Sequence, residues 1–365
     1  MDATSGAGNS RGRRRFGLHG SRGRSKGRPE PEVAANDRAP ERDVYYGALD
    51  LGTNNCRLLI AAPAEHGFHV KDAFSRIVRL GEGLGKTGAL NTSAMDRTIE
   101  ALRVCSNKLM WHKVKKHRLI ATEACRMASN GAEFIARVSS ETGLELEIID
   151  RETEARLAAT GAEPLIDSDA QSALVFDIGG GSTEVMWVEQ RGEKKELLAW
   201  TSLAAGVVTI SEQFGGGVDV TSQSFAAMRN YLRPLLAGFV AQVQRLKGSV
   251  PLPSHLLGTS GTVTTIAGVQ LGLRRYDRSK VDGCWLLSDD VGKVTAELLA
   301  MTYEERMMNA CIGRERADLV MAGCAILEEI RLAFPATRIR VADRGLREGI
   351  LTQLMMEDGT YGRMS

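Results

Sequence analysis

The stretches "GALDLGTNNCRLLIA" (47–61) and "LVFDIGGGSTEVMWV" (174–188) decide the fold, because they are one pattern written twice. Each runs from apolar residues into Asp, an apolar residue and Gly. Each then passes four small or polar positions, meets one charged residue and returns to an apolar run. Asp50 matches Asp177, Gly52 matches Gly179, and Arg57 matches Glu184. Apolar runs on either side of a Gly-bearing polar turn predict a β-hairpin. Two such hairpins in register predict an internal duplication.

Outward from the first hairpin, "VYYGALDLG", "NCRLLIAAPA" and "FHVKDAFSRIVRL" read as three strands joined by Gly and polar turns. Met95, Ile99, Leu102 and Leu109 then recur at helical spacing, with Asn91, Thr92 or Ser93 as the cap. A strand "HRLIAT", a helix ending at Gly143, a strand "LELEIID" and a helix "RETEARLAATGA" follow. After a polar break at 167–172 the scheme restarts with "SALVFDIGG", "EVMWVEQ" and "KELLAWTSLAAG", helices near 221–246 and 287–302, and a short strand "SHLLGTSG". Three hairpin strands followed by alternating helix and strand, done twice, predict an α/β fold of two domains with mixed sheets. The boundaries expected are a tail at 1–42, a first domain at 43–170 and a second at 171–365.

Composition narrows the function. The chain has 365 residues, 43% hydrophobic and 25% charged, enough for two ordinary domains. No apolar run approaches the roughly 18–20 residues of a membrane span, and no apolar signal core opens the chain. The six cysteines are scattered without C-x-x-C pairs, and the six histidines show no ligand spacing. This predicts reduced thiols in a cytoplasmic protein and speaks against zinc. Residues 1–28 carry eight Lys/Arg and one acid, a net +7 that leaves the remainder at −5. Such a Gly/Ser-rich basic tail cannot repay its ordering entropy and is expected to be disordered. Two readings of it stand open: a solubilising extension, or an arm for a polyanion such as RNA or polyphosphate.

The hairpins supply a chemistry. Gly and backbone N–H groups at a bend make a nest for phosphate oxygens. Gly52, Thr53, Asn54 and Asn55 form one such bend; Gly179, Gly180, Gly181, Ser182 and Thr183 form the other. Asp50 and Asp177 stand before them and suit a hydrated Mg²⁺ that itself touches phosphate. Arg57, after the first bend, is a natural bidentate phosphate ligand, and Arg126 in "ATEACRMASN" is a similar candidate. Gly258, Ser260, Gly261 and Thr262 read as a turn entering a helix, a third anion contact. "GEGLGKT" (81–87) is not a Walker A loop, since position 80 is Leu80 and no helix can begin at the lysine.

The chain resembles the exopolyphosphatase/guanosine pentaphosphate phosphatase (Ppx/GppA) family of the actin/sugar kinase/Hsp70 superfamily. The matching stretches are "DLGTNNCRLLI", "RLGEGL", "ATEACRMASN", "IIDRETEAR", "DIGGGSTE", "GTSGTVTTIAG", "ERADLVMAG" and "DRGLREGIL", from about 46 to 351. The resemblance implies two actin-like (ribonuclease H-like) domains flanked by helices, an active-site cleft between them, and a final helix packing back on the first domain. It implies hydrolysis of the terminal phosphoanhydride of polyphosphate or guanosine pentaphosphate, releasing orthophosphate. Glu154 is implied as the base that activates water, with Asp177, Glu184 and Asp50 holding Mg²⁺ or orienting water. Glu123, in the same strand-end motif as Arg126, reads as a supporting carboxylate and not the base, because the family match for the base falls on "ETEAR". Longer family members append a helical domain, so a compact two-domain form is expected here, and a homodimer is compatible with it. Asp282 stands where relatives often carry His, which puts any phosphate contact from that position in question. An ATP-dependent kinase on the same scaffold and a non-catalytic nucleotide or alarmone switch are the alternatives.

Overall fold

The computed structural model describes residues 44–192, 194–249 and 252–362; the basic stretch 1–28 lies outside them. The described residues contain two mixed sheets. The first holds β1 (Tyr46–Leu51), β2 (Asn55–Ala64), β3 (Gly67–Ile77), β4 (Lys116–Ala121) and β5 (Glu147–Ile148), in the order β3-β2-β1-β4-β5. The second holds β6 (Ser172–Ile178), β7 (Thr183–Arg191), β8 (Lys194–Leu203), β9 (His255–Thr259), β10 (Trp285–Leu287) and β11 (Arg338–Ala342), in the order β10-β11-β9-β6-β7-β8.

The duplication reaches hydrogen-bond level. β1 runs antiparallel to β2 and parallel to β4, as β6 does to β7 and β9. Gly52 N donates to Asn55 O at 2.9 Å, and the matching Gly179 N donates to Ser182 O at 2.9 Å. The β2–β3 ladder bulges between Ile60 and Ala61, and the β7–β8 ladder at the matching place, between Trp187 and Val188. A bulge adds local twist and bend to a pair of strands. The two hairpins therefore curve alike.

Helices cover the sheets. Thr92–Trp111 begins at Asn91, whose Oδ1 accepts from Ala94 N at 2.8 Å, so the asparagine is the cap of the three candidates. Of "LELEIID" only Glu147–Ile148 pairs, because Asp150 already caps the helix Arg151–Ala162, accepting from Thr153 N at 2.7 Å. That helix and Leu346–Glu357 cross at van der Waals limits. A Cβ on Gly161 would lie 1.9 Å from Gly345 O, and one on Gly349 2.0 Å from Leu157 O. Leu346, Ile350, Leu351 and Met355 fill the space over Tyr46, Ala48 and Ile120 of the first sheet. The C-terminal helix thus joins the core of the first half.

A second tie comes from the "RLGEGL" turn. Arg79 adopts φ 50, a left-handed conformation uncommon outside glycine. It sends its guanidinium to Asp318 at 2.8 and 3.1 Å, while Gly83 N donates to Glu212 Oε1 at 2.9 Å. No helix among the described residues is long and apolar enough to cross a membrane.

Candidate active site

Both glycine bends sit at the same end of their sheets and press on one another. A Cβ on Gly180 would meet Thr53 Cβ at 2.9 Å and Asn54 N at 3.1 Å; one on Gly181 would meet Thr53 Oγ1 at 2.7 Å. Only glycine permits this approach. The bends are also fixed from behind. Asn54 O accepts from Val78 N and Arg79 N, while Gly179 O and Gly180 O accept from Val207 N and Val208 N at the start of the helix Val207–Gln213.

A cavity of about 130 Å³ opens where they meet. Its walls bring together Asp50, Gly52, Thr53, Asn54, Asn55, Arg57, Glu154, Asp177, Gly179, Gly180, Gly181, Ser182, Glu184, Ser260, Gly261 and Thr262. Glu123 and Arg316 also line it. A second cavity of about 350 Å³ shares Asp50, Arg57, Asp177, Ser260, Gly261 and Arg316 and adds Tyr276, Arg344 and Arg347. One continuous polar cleft therefore carries most of the candidate residues.

Three candidates stand elsewhere. Thr183 is fully buried and donates its hydroxyl to Ala205 O at 2.6 Å. Gly258 lies inside β9, where a Cβ would strike the Phe176 ring at 2.6 Å; its role is strand-to-core packing. Arg126 does not line either cavity and is bonded to protein on all three nitrogens. Ser260 lines the cleft, but its hydroxyl caps the helix Gly261–Gln270, accepting from Thr262 N at 3.2 Å with the backbone at φ 125. A non-glycine residue held there stores strain, which the capping contact helps to hold.

Burial works against the charge of four of the carboxylates that line the cleft. Asp50 is pushed up to about 6 by burial, with Arg57 and Arg347 pulling the other way. Asp177 is also raised by burial. Glu184 is pushed up to about 7, first by burial and then by the charge of Asp177, which it faces across β6–β7; Ser202 Oγ donates to it at 2.8 Å. Glu154 is raised well above the usual carboxylate range by burial and by Glu184, with Arg126 opposing. The cleft lacks enough positive charge of its own for its acids. Asn54 Oδ1 is likewise buried without a hydrogen-bond partner.

Among the described residues no three His, Cys, Asp or Glu side chains form a ready metal cage. Mg²⁺ does not require one, because it keeps several waters and binds through one or two carboxylates plus substrate phosphates. The surplus of acids lining the cleft and the orphaned Asn54 oxygen fit such a hydrated cation.

Two cations escaped the sequence reading. Arg316 and Arg347 enter the cleft from distant segments, and among the described residues no hydrogen bond engages either guanidinium. Arg347 approaches Glu348 only to 3.9 Å. Both occur in quoted motifs, "ERADLVMAG" and "DRGLREGIL", whose arginines were the available signal. Asp282 is accounted for: its carboxylate accepts from Asp343 N at 3.0 Å and clasps Arg344, so it fixes the 343–345 turn.

Comparison with known proteins agrees with this arrangement. An exopolyphosphatase 2 of Mycobacterium tuberculosis is 29% identical over 320 residues, 84% of this chain and 97% of that protein. The crystal structure of an exopolyphosphatase from Cytophaga hutchinsonii superposes with a TM-score of 0.77 at 26% identity, over 88% of this chain and 100% of the other. The Aquifex aeolicus member of the Ppx/GppA family gives a TM-score of 0.72 at 28% identity, over 86% and 98%. These structures share the two actin-like halves with mixed sheets. The family model for Ppx/GppA phosphatases matches residues 59–358, and the chain belongs to that family.

Proposed function

We propose that this protein is an exopolyphosphatase, removing the terminal phosphate of inorganic polyphosphate by attack of water. The observation that carries this reading is the shared cleft: two matching glycine bends in contact, the carboxylates of Asp50, Glu154, Asp177 and Glu184, and the guanidinium groups of Arg57, Arg316 and Arg347, which no hydrogen bond engages among the described residues. The full-length likeness to an exopolyphosphatase of Mycobacterium tuberculosis supports the substrate class.

In this mechanism the bend amides at 53–55 and 180–182 and the three arginines hold consecutive phosphates. Glu154 lies at the edge of the cavity, nine-tenths buried, in the first helical turn after β5. Its carboxylate takes a proton from a water as the water oxygen attacks the terminal phosphorus. The P–O bond to the chain breaks, the shortened chain leaves on its own oxygen, and orthophosphate departs. Asp177, Glu184 and Asp50 would hold Mg²⁺, which would supply charge neutralisation on the phosphate oxygens. Of the residues lining the two cavities, only Tyr276 is aromatic, and its hydroxyl donates to Asp343 at 2.7 Å. The cleft thus offers little to stack a purine, which favours polyphosphate over guanosine pentaphosphate.

Orthophosphate release tests the reading. Purified protein is given polyphosphate, guanosine pentaphosphate and ATP in turn, with and without Mg²⁺. Metal-dependent release that is fastest from polyphosphate is expected. Turnover of ATP only when a sugar or carboxylic acid acceptor is added would replace the hydrolase with a kinase, and binding without turnover would replace it with a switch.

A further inference from the structure

We propose that Arg126 is a positioning residue for Glu154, held off the substrate by Glu123, so that it aims the base instead of gripping phosphate. The inference deepens the hydrolase reading and rests on it. It begins with the geometry of one guanidinium. Arg126 Nη2 donates to Glu154 Oε2 at 3.0 Å and also meets Glu123; Nε donates to Glu123 Oε2 at 3.1 Å; Nη1 donates to the Ile149 carbonyl at 2.6 Å. All three nitrogens are engaged, and no two-pronged face remains to receive a phosphate.

The fourth member closes the group. Arg151 Nη2 donates to Glu123 Oε1 at 2.8 Å, at the first residue of the helix that carries Glu154. Two acids and two cations make the cluster formally neutral before any substrate enters. Glu123 is only 6% exposed, and although burial raises its pKa, the bonds from Arg151 and Arg126 bring it below its ordinary value. It therefore stays charged and keeps Arg126 occupied. A polyanion arriving in the cleft meets Arg57 and Arg316 on the walls and finds Arg126 already neutralised behind Glu123 and Glu154.

The consequence falls on Glu154. Its Oε2 is fixed by Arg126, and no hydrogen bond reaches Oε1 from any described residue. Glu154 lines the cavity, so a carboxylate pinned at one oxygen leaves the other to accept from a water there. Ile149 O is the last carbonyl before the helix cap Asp150, so the same guanidinium also ties the base to the strand end that precedes its helix. Losing this clamp costs the orientation of the attacking water and leaves substrate affinity largely alone.

The experiment is a kcat and KM comparison for polyphosphate hydrolysis in Arg126→Gln, Arg126→Lys, Arg126→Ala, Glu154→Gln and the double variant Arg126→Gln/Glu154→Gln. Arg126→Gln should lower kcat by about 10–100-fold with KM within about threefold, since it removes part of what a positioned base contributes. Arg126→Lys should sit between it and the parent, and millimolar guanidinium should restore part of the turnover of Arg126→Ala, a response that general loosening of the fold would not give. The double variant should be no slower than Glu154→Gln alone, because the arginine acts only through that carboxylate. A KM raised tenfold or more at unchanged kcat would make Arg126 a phosphate ligand and overturn the inference, as would losses that multiply in the double variant. If the parent protein releases no orthophosphate from polyphosphate, the hydrolase reading falls; if it does and Glu154→Gln turns over at the parental rate, Glu154 is not the base and this inference falls while the hydrolase reading stands, so the two failures are told apart.

Discussion

In the hairpin β1–β2, Asp50 faces Arg57 across the strands; in β6–β7, Asp177 faces Glu184 at the same place. The backbones match down to the glycine hydrogen bond and the bulge. Opposite charges placed directly across an antiparallel pair stabilise it, and like charges destabilise it. Across the strands one copy of the repeat thus holds an attractive pair and the other a repulsive one, although burial raises Asp50 in the first as well. The strained copy carries the two acids assigned to the cation, and the other carries a cation assigned to phosphate. A duplicated scaffold supplies two equivalent positions, and a single exchange of Arg for Glu gives them complementary work on one anion.

The most severe way to break this arrangement is to remove the group that both hairpins serve. Glu154→Gln should reduce turnover by ~10²–10⁴-fold while polyphosphate binding, measured by filter retention or calorimetry, survives. For the parent protein the acid limb of kcat/KM should lie above the ordinary carboxylate range, because burial and Glu184 raise Glu154 and the base must be deprotonated. Activity should then rise with pH into the neutral region. A limb near pH 4 would show that burial does not raise the essential base and would remove this account of Glu154.

The next contrast sets the hairpins against each other. Glu184→Gln should lower kcat and raise the Mg²⁺ concentration needed for half-maximal activity. Arg57→Gln should act chiefly on KM, raising it by about 10-fold, the scale of one charged hydrogen bond. Equal effects of both changes on KM and on metal requirement would show that the charge difference between the repeats has no division of labour behind it.

The strained copy also predicts a gain. Glu184 has a folded pKa of about 7 against 4.5 for the free side chain, so the folded state holds its proton more tightly. Between these values the unfolded chain ionises first, and stability falls as pH rises toward 7. Above 7 the full penalty is present, and below 4.5 it vanishes. Glu184→Gln removes it and should raise stability by about 1–3 kcal/mol at pH 8 and by little at pH 4. Thermal unfolding at the two pH values, in metal-free buffer, measures the difference. An unchanged or lower Tm at pH 8 would remove the strain from the account.

Much of this was legible beforehand because the repeat is local. Asp50, Gly52 and Arg57 are separated by a few residues, as are Asp177, Gly179 and Glu184, and hairpin chemistry alone places each trio at one mouth. The resemblance then pointed to Glu154. Residues contributed by tertiary convergence were not legible in the same way. Arg316 and Arg347 belong to neither repeat and reach the cleft only because the chain's last third folds back over it. β10 and β11 were hidden by their length and by arginines: Arg338 and Arg340 lie over the Trp285 ring at 4.1 and 4.7 Å, so a strand face that reads as charged is covered by an aromatic. Gly258 misled because a glycine demanded by the Phe176 ring looks, in sequence, like one demanded by a ligand.

The smallest effect separates the glycines themselves. Pattern alone gives Gly52 and Gly180 the same reason to exist, but their surroundings differ. A methyl group on Gly180 would run into Thr53 Cβ at 2.9 Å and the Asn54 amide nitrogen at 3.1 Å, whereas one on Gly52 meets nothing closer than Asn55 O at 3.6 Å. Gly180→Ala must therefore push the two bends apart, at a cost of about 1–3 kcal/mol and with a matching loss of activity. Gly52→Ala should leave stability within about 0.5 kcal/mol and activity within about twofold, since ordinary contact is all it adds. Urea unfolding and initial rates on polyphosphate read both. If Gly52→Ala proves as harmful as Gly180→Ala, the first bend needs its glycine for close approach of the ligand's own oxygens. That outcome would place the phosphate nearer to β1 than to β6, and would move the metal-holding role toward Asp50.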